Sequence, residues 1–275
     1  MSILVAVVCL IYVALLSQYY FEEKSTDSKV FTFKRQGEAE RFILVNARVV
    51  AIDPVKGDMV VRLGFTPRGL ADEFGVLTTR LILDINSSTG RTENEFLEGR
   101  TMAPVEVTLS LEGKAQRYPF DKHLAPLNIM ATEFDEQKHP YPVPLTVTIS
   151  SEVAGYQVGM ESAEQKTRPE YCRLKMSVQR SPSVLVFDIF VMILMAAVGI
   201  STLLVTRSVI RGRKLELPFL QWMATLLFAL LPLRNSMPCA PPLGTLSDYL
   251  AFFWAESLIA ISLLILVRTW LVRPS

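Results

Sequence analysis

Apolar positions along this chain follow two regimes. Four stretches are continuously hydrophobic, and between the first and the second the apolar residues recur at every other position. The continuous stretches are Ile3 to Leu16 (carried on by Ser17, Gln18, Tyr19, Tyr20 and Phe21), Val184 to Val205, Leu215 to Leu233, and Tyr249 to Val267. At about 1.5 Å per helical residue, the last three can each cross a hydrocarbon core of about 30 Å. The first stretch has no basic residue before its core and no small-x-small site after it, and it closes on three aromatics suited to a membrane interface. These features predict a retained transmembrane anchor over residues 1–21 rather than a cleaved secretory signal.

Residues 22–183 read as one independent domain. Val105, Val107, Leu109 and Leu111 alternate with Glu106, Thr108 and Ser110; Leu145, Val147 and Ile149 alternate with Thr146, Thr148 and Ser150; Cys172, Leu174, Met176 and Val178 alternate with Arg173, Lys175, Ser177 and Gln179. Further strands are predicted over Phe42–Ile52, Met59–Phe65, Leu77–Ile85, Leu124–Met130 and Gly155–Glu161. About eight strands with Gly, Pro and Asp punctuation predict an antiparallel β-sandwich. Asn86 to Arg100, polar and glycine-containing, reads as a long mobile loop. The fold class is therefore mixed: an extracytoplasmic β-sandwich and four transmembrane α-helices, one N-terminal and three C-terminal (residues 184–275).

Charge sets the orientation. Arg207, Arg211, Arg213 and Lys214 lie in the connection 206–214, and Arg268 and Arg273 follow the last stretch. Both belong in the cytoplasm by the positive-inside rule, which places both termini inside and residues 22–183 outside a plasma (inner) membrane. Composition agrees: 50% of residues are hydrophobic, yet 28 basic and 27 acidic side chains require a large aqueous part. A net charge of +1 gives no ground for a nucleic-acid partner.

Catalytic patterns are absent from the sequence: no Gly-x-Ser-x-Gly elbow, no His-Glu-x-x-His, and no phosphate-cradling glycine loop. Two histidines, His123 and His139, are too few for a histidine-rich metal site, and neither a metal nor a cofactor is expected. Asp121 and His123 are close enough for an acid–base pair, but the simpler expectation has Asp121 capping a loop and His123 in solvent. Asp135 and Glu136 read as surface acids, without EF-hand spacing. The sequon Asn86-Ser87-Ser88 arises readily by chance.

Four charges stand in or beside apolar stretches: Asp188, Arg234, Asp248 and Glu256. With the orientation above, all four occupy the outer leaflet or its edge, where charged groups are costly and pair with one another. Arg234 is expected to bridge helices through Asp188 or Glu256. Tyr118-Pro119-Phe120-Asp121 reads as a rigid turn between strands. Arg180-Ser181-Pro182 joins the last strand to the second span with almost no linker, a geometry suited to coupling. Cys172 and Cys239 both fall outside, where a disulfide can form if the fold brings them together.

The chain resembles a family of bacterial, largely actinobacterial, membrane proteins classed as a domain of unknown function. The resemblance rests on Arg117-Tyr118-Pro119-Phe120-Asp121, on Leu233-Arg234-Asn235-Ser236-Met237-Pro238, on Pro241-Pro242-Leu243-Gly244, and on Asp248 followed by Phe252-Phe253-Trp254-Ala255-Glu256. In that family glycine is usual where this chain has Cys239. A more distant similarity is to pentameric ligand-gated channels, whose aromatic-Pro-x-Asp turn and basic-x-Pro junction look like Tyr118–Asp121 and Arg180–Pro182. That similarity implies a third span lining a pore with Gln221 and Thr225. The departures are the lack of a cysteine pair around the turn and only three spans after the domain.

The functional expectation is a non-enzymatic envelope protein that binds, senses or scaffolds, with an outer β-domain coupled to a helix bundle. Its expected partners are the lipid bilayer and an envelope ligand or protein, and the layout allows a homo-oligomer. The alternatives are an oligomeric channel and, with only Asp121 and His123 behind it, an envelope enzyme.

Overall fold

The computed structural model describes residues 13, 17, 20, 31–33, 40–88, 92–134, 139–164, 171–239 and 241–272. The predicted first span lies outside the described residues apart from Val13, Ser17 and Tyr20, each helical. Asp135 and Glu136 also lie outside them. The chain divides into two compact units: Met1–Lys114 with Lys122–Arg180, and Ala115–Asp121 with Ser181–Ser275.

Among the described residues the first unit has twelve strands: β1 (Phe31–Phe33), β2 (Phe42–Asp53), β3 (Asp58–Arg68), β4 (Arg80–Ile85), β5 (Glu93–Phe96), β6 (Val105–Ser110), β7 (Glu112–Gly113), β8 (Lys122–Phe134), β9 (Pro140–Pro142), β10 (Leu145–Ser151), β11 (Tyr156–Glu164) and β12 (Tyr171–Arg180). One sheet runs β1-β10-β2-β3-β6 and the other β11-β12-β8-β4-β5, with β7 and β9 also pairing β8. All eight predicted strands are present, and four short ones join them. One of these, β5, lies inside the stretch expected to be a mobile loop. The sheets are also not wholly antiparallel, because β10 pairs β2 in parallel from Leu145↔Ile43 to Ser151↔Val49.

Alternation is what makes the core. Ile43, Val45, Ala47, Val61, Leu63, Leu127, Ile129, Val147, Leu174 and Met176 are all buried on inner faces. His123 shares that phase with Ala125, Leu127 and Ile129, so β8 turns it inward at 2% exposure instead of leaving it in solvent. A Cβ at Gly113, its β7 partner, would collide with the imidazole, so only glycine admits the ring there. The β2–β3 turn is closed by Asp53, whose Oδ1 accepts from the N–H groups of Lys56 (3.0 Å) and Val55 (3.1 Å). The Lys56 N–H is the main reason that the Asp53 carboxyl lies below its ordinary pKa. Asn86 of the sequon is committed to β8: its Nδ2 donates to Pro126 O (2.8 Å), and its Oδ1 accepts from Asn128 N–H (2.6 Å).

The second unit holds α1 (Pro182–Ile210), α2 (Leu217–Asn235), a π-turn over Asp248–Phe252, and α3 (Phe253–Val272). The stretches Pro182–Ile210, Leu217–Asn235 and Asp248–Val272 are long and apolar enough to cross a membrane, and an 18-residue window in each has a mean hydropathy of 2.6, 1.4 and 2.3 respectively. Ser181 caps α1, accepting from Val184 N–H at 3.4 Å, and Pro182 supplies a first-turn residue with no N–H to satisfy. The helix runs on to Ile210, so the expected connection 206–214 narrows to the residues after it. It stops where Gly212 takes φ +110°, open to glycine.

Small residues bring α1 and α3 into backbone contact at one point. The buried face of α1 comprises Val184, Asp188, Val191, Met195, Gly199, Thr202, Thr206 and Val209, and that of α3 comprises Ala255, Ile259, Ser262 and Leu266. A Cβ built on Gly199 would lie 2.9 Å from Ala255 Cα, so the backbones of α1 and α3 touch there.

Candidate functional site

Residues Ala115–Asp121 lie between β7 and β8 in the sequence yet belong to the helical unit. A 3₁₀ turn over Ala115–Arg117 starts the loop, Tyr118 N–H returns to Ala115 O (3.1 Å), and Phe120 N–H returns to Arg117 O (2.9 Å). The Tyr118–Pro119 peptide is cis. Tyr118 is 1% exposed and forms one apolar cluster with Val191, Met195, Met237 and Phe252. Its hydroxyl reaches Asp188 Oδ1 on α1 at 2.8 Å and Pro238 O at 2.9 Å, while its carbonyl accepts Ser247 N–H at 3.3 Å. One side chain from the loop thus ties α1, the 236–247 hairpin and the entrance of the last helix. Phe120, its neighbour, is 51% exposed.

The second constellation closes the far end of α2. Arg234 Nε donates to Asp248 Oδ1 (2.8 Å), and Nη2 to Asp248 Oδ2 (2.9 Å) and Pro242 O (2.7 Å). Nη1 donates to Pro241 O (2.7 Å) and Asn235 Oδ1 (3.4 Å). Asp248 Oδ2 also accepts from Gly244 N–H (2.8 Å), Thr245 N–H (3.1 Å) and Thr245 Oγ1 (3.3 Å). The pair is buried on both sides, with side-chain exposures of 4% and 0%. A bidentate guanidinium–carboxylate pair with its remaining donors satisfied is the arrangement in which a buried charge is tolerated.

Arg234 is held by Asp248, not by Asp188 or Glu256 as expected, because the hairpin folds Asp248 back onto the end of α2. Asp188 is met by Tyr118. Glu256 is half-buried on α3, and its Oε2 is enclosed with no hydrogen-bond partner among the described residues. Arg180 ends β12 with its guanidinium over the Tyr156 ring (4.7 Å) and Nη1 donating to the Tyr156 hydroxyl (2.9 Å).

Cys172 and Cys239, which the sequence leaves open as a pair, are free thiols. β12 turns Cys172 into the sandwich core, and that burial pushes its thiol up to about 12. Cys239 is exposed, at φ 61°. The hairpin thus imposes the left-handed conformation that favours glycine, although this chain has cysteine there. Arg234 and Tyr118 stand out in the sequence, but the backbone carbonyls of Pro238, Pro241 and Pro242 do not. No side-chain signal marks such acceptors. No group of three or more His, Cys, Asp or Glu side chains placed to hold a metal occurs among the described residues.

A family model described as a domain of unknown function, DUF4436, matches residues 32–178, more than half the chain. The chain belongs to the DUF4436 family. A second domain of unknown function, DUF8686, matches residues 180–273, which takes in α1, α2 and α3. The two family models meet at the β12–α1 junction, but the DUF4436 match includes Ala115–Asp121, which the fold assigns to the helical unit. No curated protein matches the chain.

Proposed function

We propose that this protein is a bacterial inner-membrane, non-enzymatic binding or sensing protein, with its β-domain outside and coupled to a helix bundle. The observation that carries the reading is the position of Tyr118. Ala115–Asp121 is continuous with β7 and β8, yet Tyr118 is a core residue of the helical unit. A change in the strands is therefore carried by the chain itself to Asp188, Pro238 and Ser247, and a second covalent route runs from β12 through Ser181 into α1. Replacing Tyr118 with phenylalanine keeps the ring and removes only the hydroxyl. Loss of such a buried bond costs about 1–3 kcal/mol. Amide exchange should accelerate across 236–252 and the first turns of α1 in the full chain, while β2 and β3 keep their protection. Equal exchange in wild type and variant would remove the loop from this role.

An oligomeric channel is the second reading, and α2 supports it. Gln221 and Thr225 are exposed one turn apart on α2, where 17% of the residues in its apolar 18-residue window are buried within the chain. Polar side chains on such a face suit contact with other copies or with water. The subunit number in lipid nanodiscs separates the readings: a pentamer supports a pore lined by α2, and a monomer removes it.

A further inference from the structure

The β-domain carries a surface that its own sheets leave unfinished. β5 is the last strand in its sheet order, so among the described residues its outer edge has no strand partner. Beside it opens a cleft of about 610 Å³, lined by Val76, Glu95, Phe96, Leu97, Arg100 and Ala103 among others. An unpaired edge next to a side-chain cleft is the geometry that accepts an added strand, with backbone bonds supplying affinity and the cleft supplying choice.

An aromatic is held out in water next to this cleft. Ala71 and Leu77 bridge the base of a tight loop, and Asp72 Oδ1 accepts from Phe74 N–H and Val76 N–H, each at 2.9 Å. The loop is therefore fixed by its own hydrogen bonds, and at its tip Phe74 is 80% exposed, two residues from the cleft wall at Val76. Leu97, on the cleft itself, is 44% exposed. Rigid exposed apolar side chains of this kind serve as anchors because little entropy is lost when they are covered.

Charge identifies the occupant. Among the described residues, Asp72, Glu73, Glu93, Glu95 and Glu98 are exposed around the edge and the loop, against Arg100 and an Arg80 already paired with Glu95 at 2.8 Å. An acidic rim repels an anionic lipid surface and attracts a cationic chain.

We propose that the β5 edge, the adjoining cleft and Phe74 form a docking site for an extended, basic polypeptide segment with alternating apolar residues. This rests on the reading of the β-domain as the binding part of the protein. The test uses the full chain in zwitterionic nanodiscs and a fluorescein-labelled peptide of alternating lysine and valine. Saturable binding in the micromolar range, weakened by salt, is expected. Phe74→Ser combined with Leu97→Ser should weaken it by about tenfold without changing the unfolding temperature, since both side chains are exposed. The matching glutamate–valine peptide should not bind. No saturation with the lysine–valine peptide, or equal binding by the double variant, overturns the proposal. So does quenching of a Phe74→Trp variant by brominated lipid, which would seat the loop in the bilayer. Peptide binding that leaves amide exchange in the helices unchanged would sink the coupling reading and keep this site. Absent binding would sink the site while the Tyr118 exchange result stands by itself.

Discussion

Replacing Arg234 with alanine is expected to destabilise the helical unit by about 3–5 kcal/mol, the usual cost of removing one partner from a buried pair. The loss exceeds that of an ordinary salt bridge because the substitution orphans three groups. Asp248 is left with an uncompensated charge at 0% exposure, and the carbonyls of Pro241 and Pro242 lose the Nη1 and Nη2 donors that hold the hairpin. Gly244 and Thr245 still donate to Asp248 Oδ2, so the carboxylate keeps part of its solvation. Arg234→Lys should fall between wild type and alanine, because an ammonium cannot reproduce the bidentate fork. Combining Arg234→Met with Asp248→Leu removes both charges and should recover much of the loss, though not all, since the two proline carbonyls stay unpaired. Thermal unfolding in nanodiscs reads all four proteins. An alanine variant that melts with wild type would show that the pair does not hold the hairpin.

The second large effect is steric. Gly199→Val is expected to force α1 and α3 apart, since the first added carbon already meets Ala255 Cα at 2.9 Å and Ala255 O at 3.4 Å. The obstacle is backbone, which cannot move aside by changing rotamer. Overpacking of this kind costs about 1–3 kcal/mol, and here it acts at a backbone contact between two helices that have only packing and polar bonds to hold them in lipid. Ala255→Gly should take away the methyl that stands 3.3 Å from the added carbon, but the backbone atoms of residue 255 remain, so rescue is partial. Ala197→Val, on the exposed side of α1, is the control and should be silent. The readout is thermal stability together with disulfide trapping between cysteines placed on the facing surfaces of α1 and α3. Undiminished trapping in Gly199→Val would mean that the helices do not pack at this point.

Much of the architecture was legible because it is periodic. Eight strands and three helices were readable from local repeats of two residues or from unbroken apolar runs, and all eleven are present. β1, β5, β7 and β9, each two to four residues long, are too short to show a period. His123 was readable too, through its phase in β8, but a lone polar residue invites assignment to solvent. The parallel pairing of β10 with β2 has no trace in either strand's own pattern, because alternation reports which face is buried and not which neighbour lies alongside.

Where apolar surface must be hidden is written in the order of the residues, since burial is settled residue by residue through exclusion from water and through the repeat of the local backbone. The same order also marks Tyr118, Asp188, Arg234 and Asp248 as residues in need of explanation. How they are satisfied depends on the closed fold. Arg234 finds Asp248 fourteen residues on, and Tyr118 finds Asp188 seventy residues on and Pro238 a further fifty beyond that. Such partners are chosen by where the closed chain brings oxygen and nitrogen within about 3 Å of each other. That distance depends on every turn between them, and no local pattern records it.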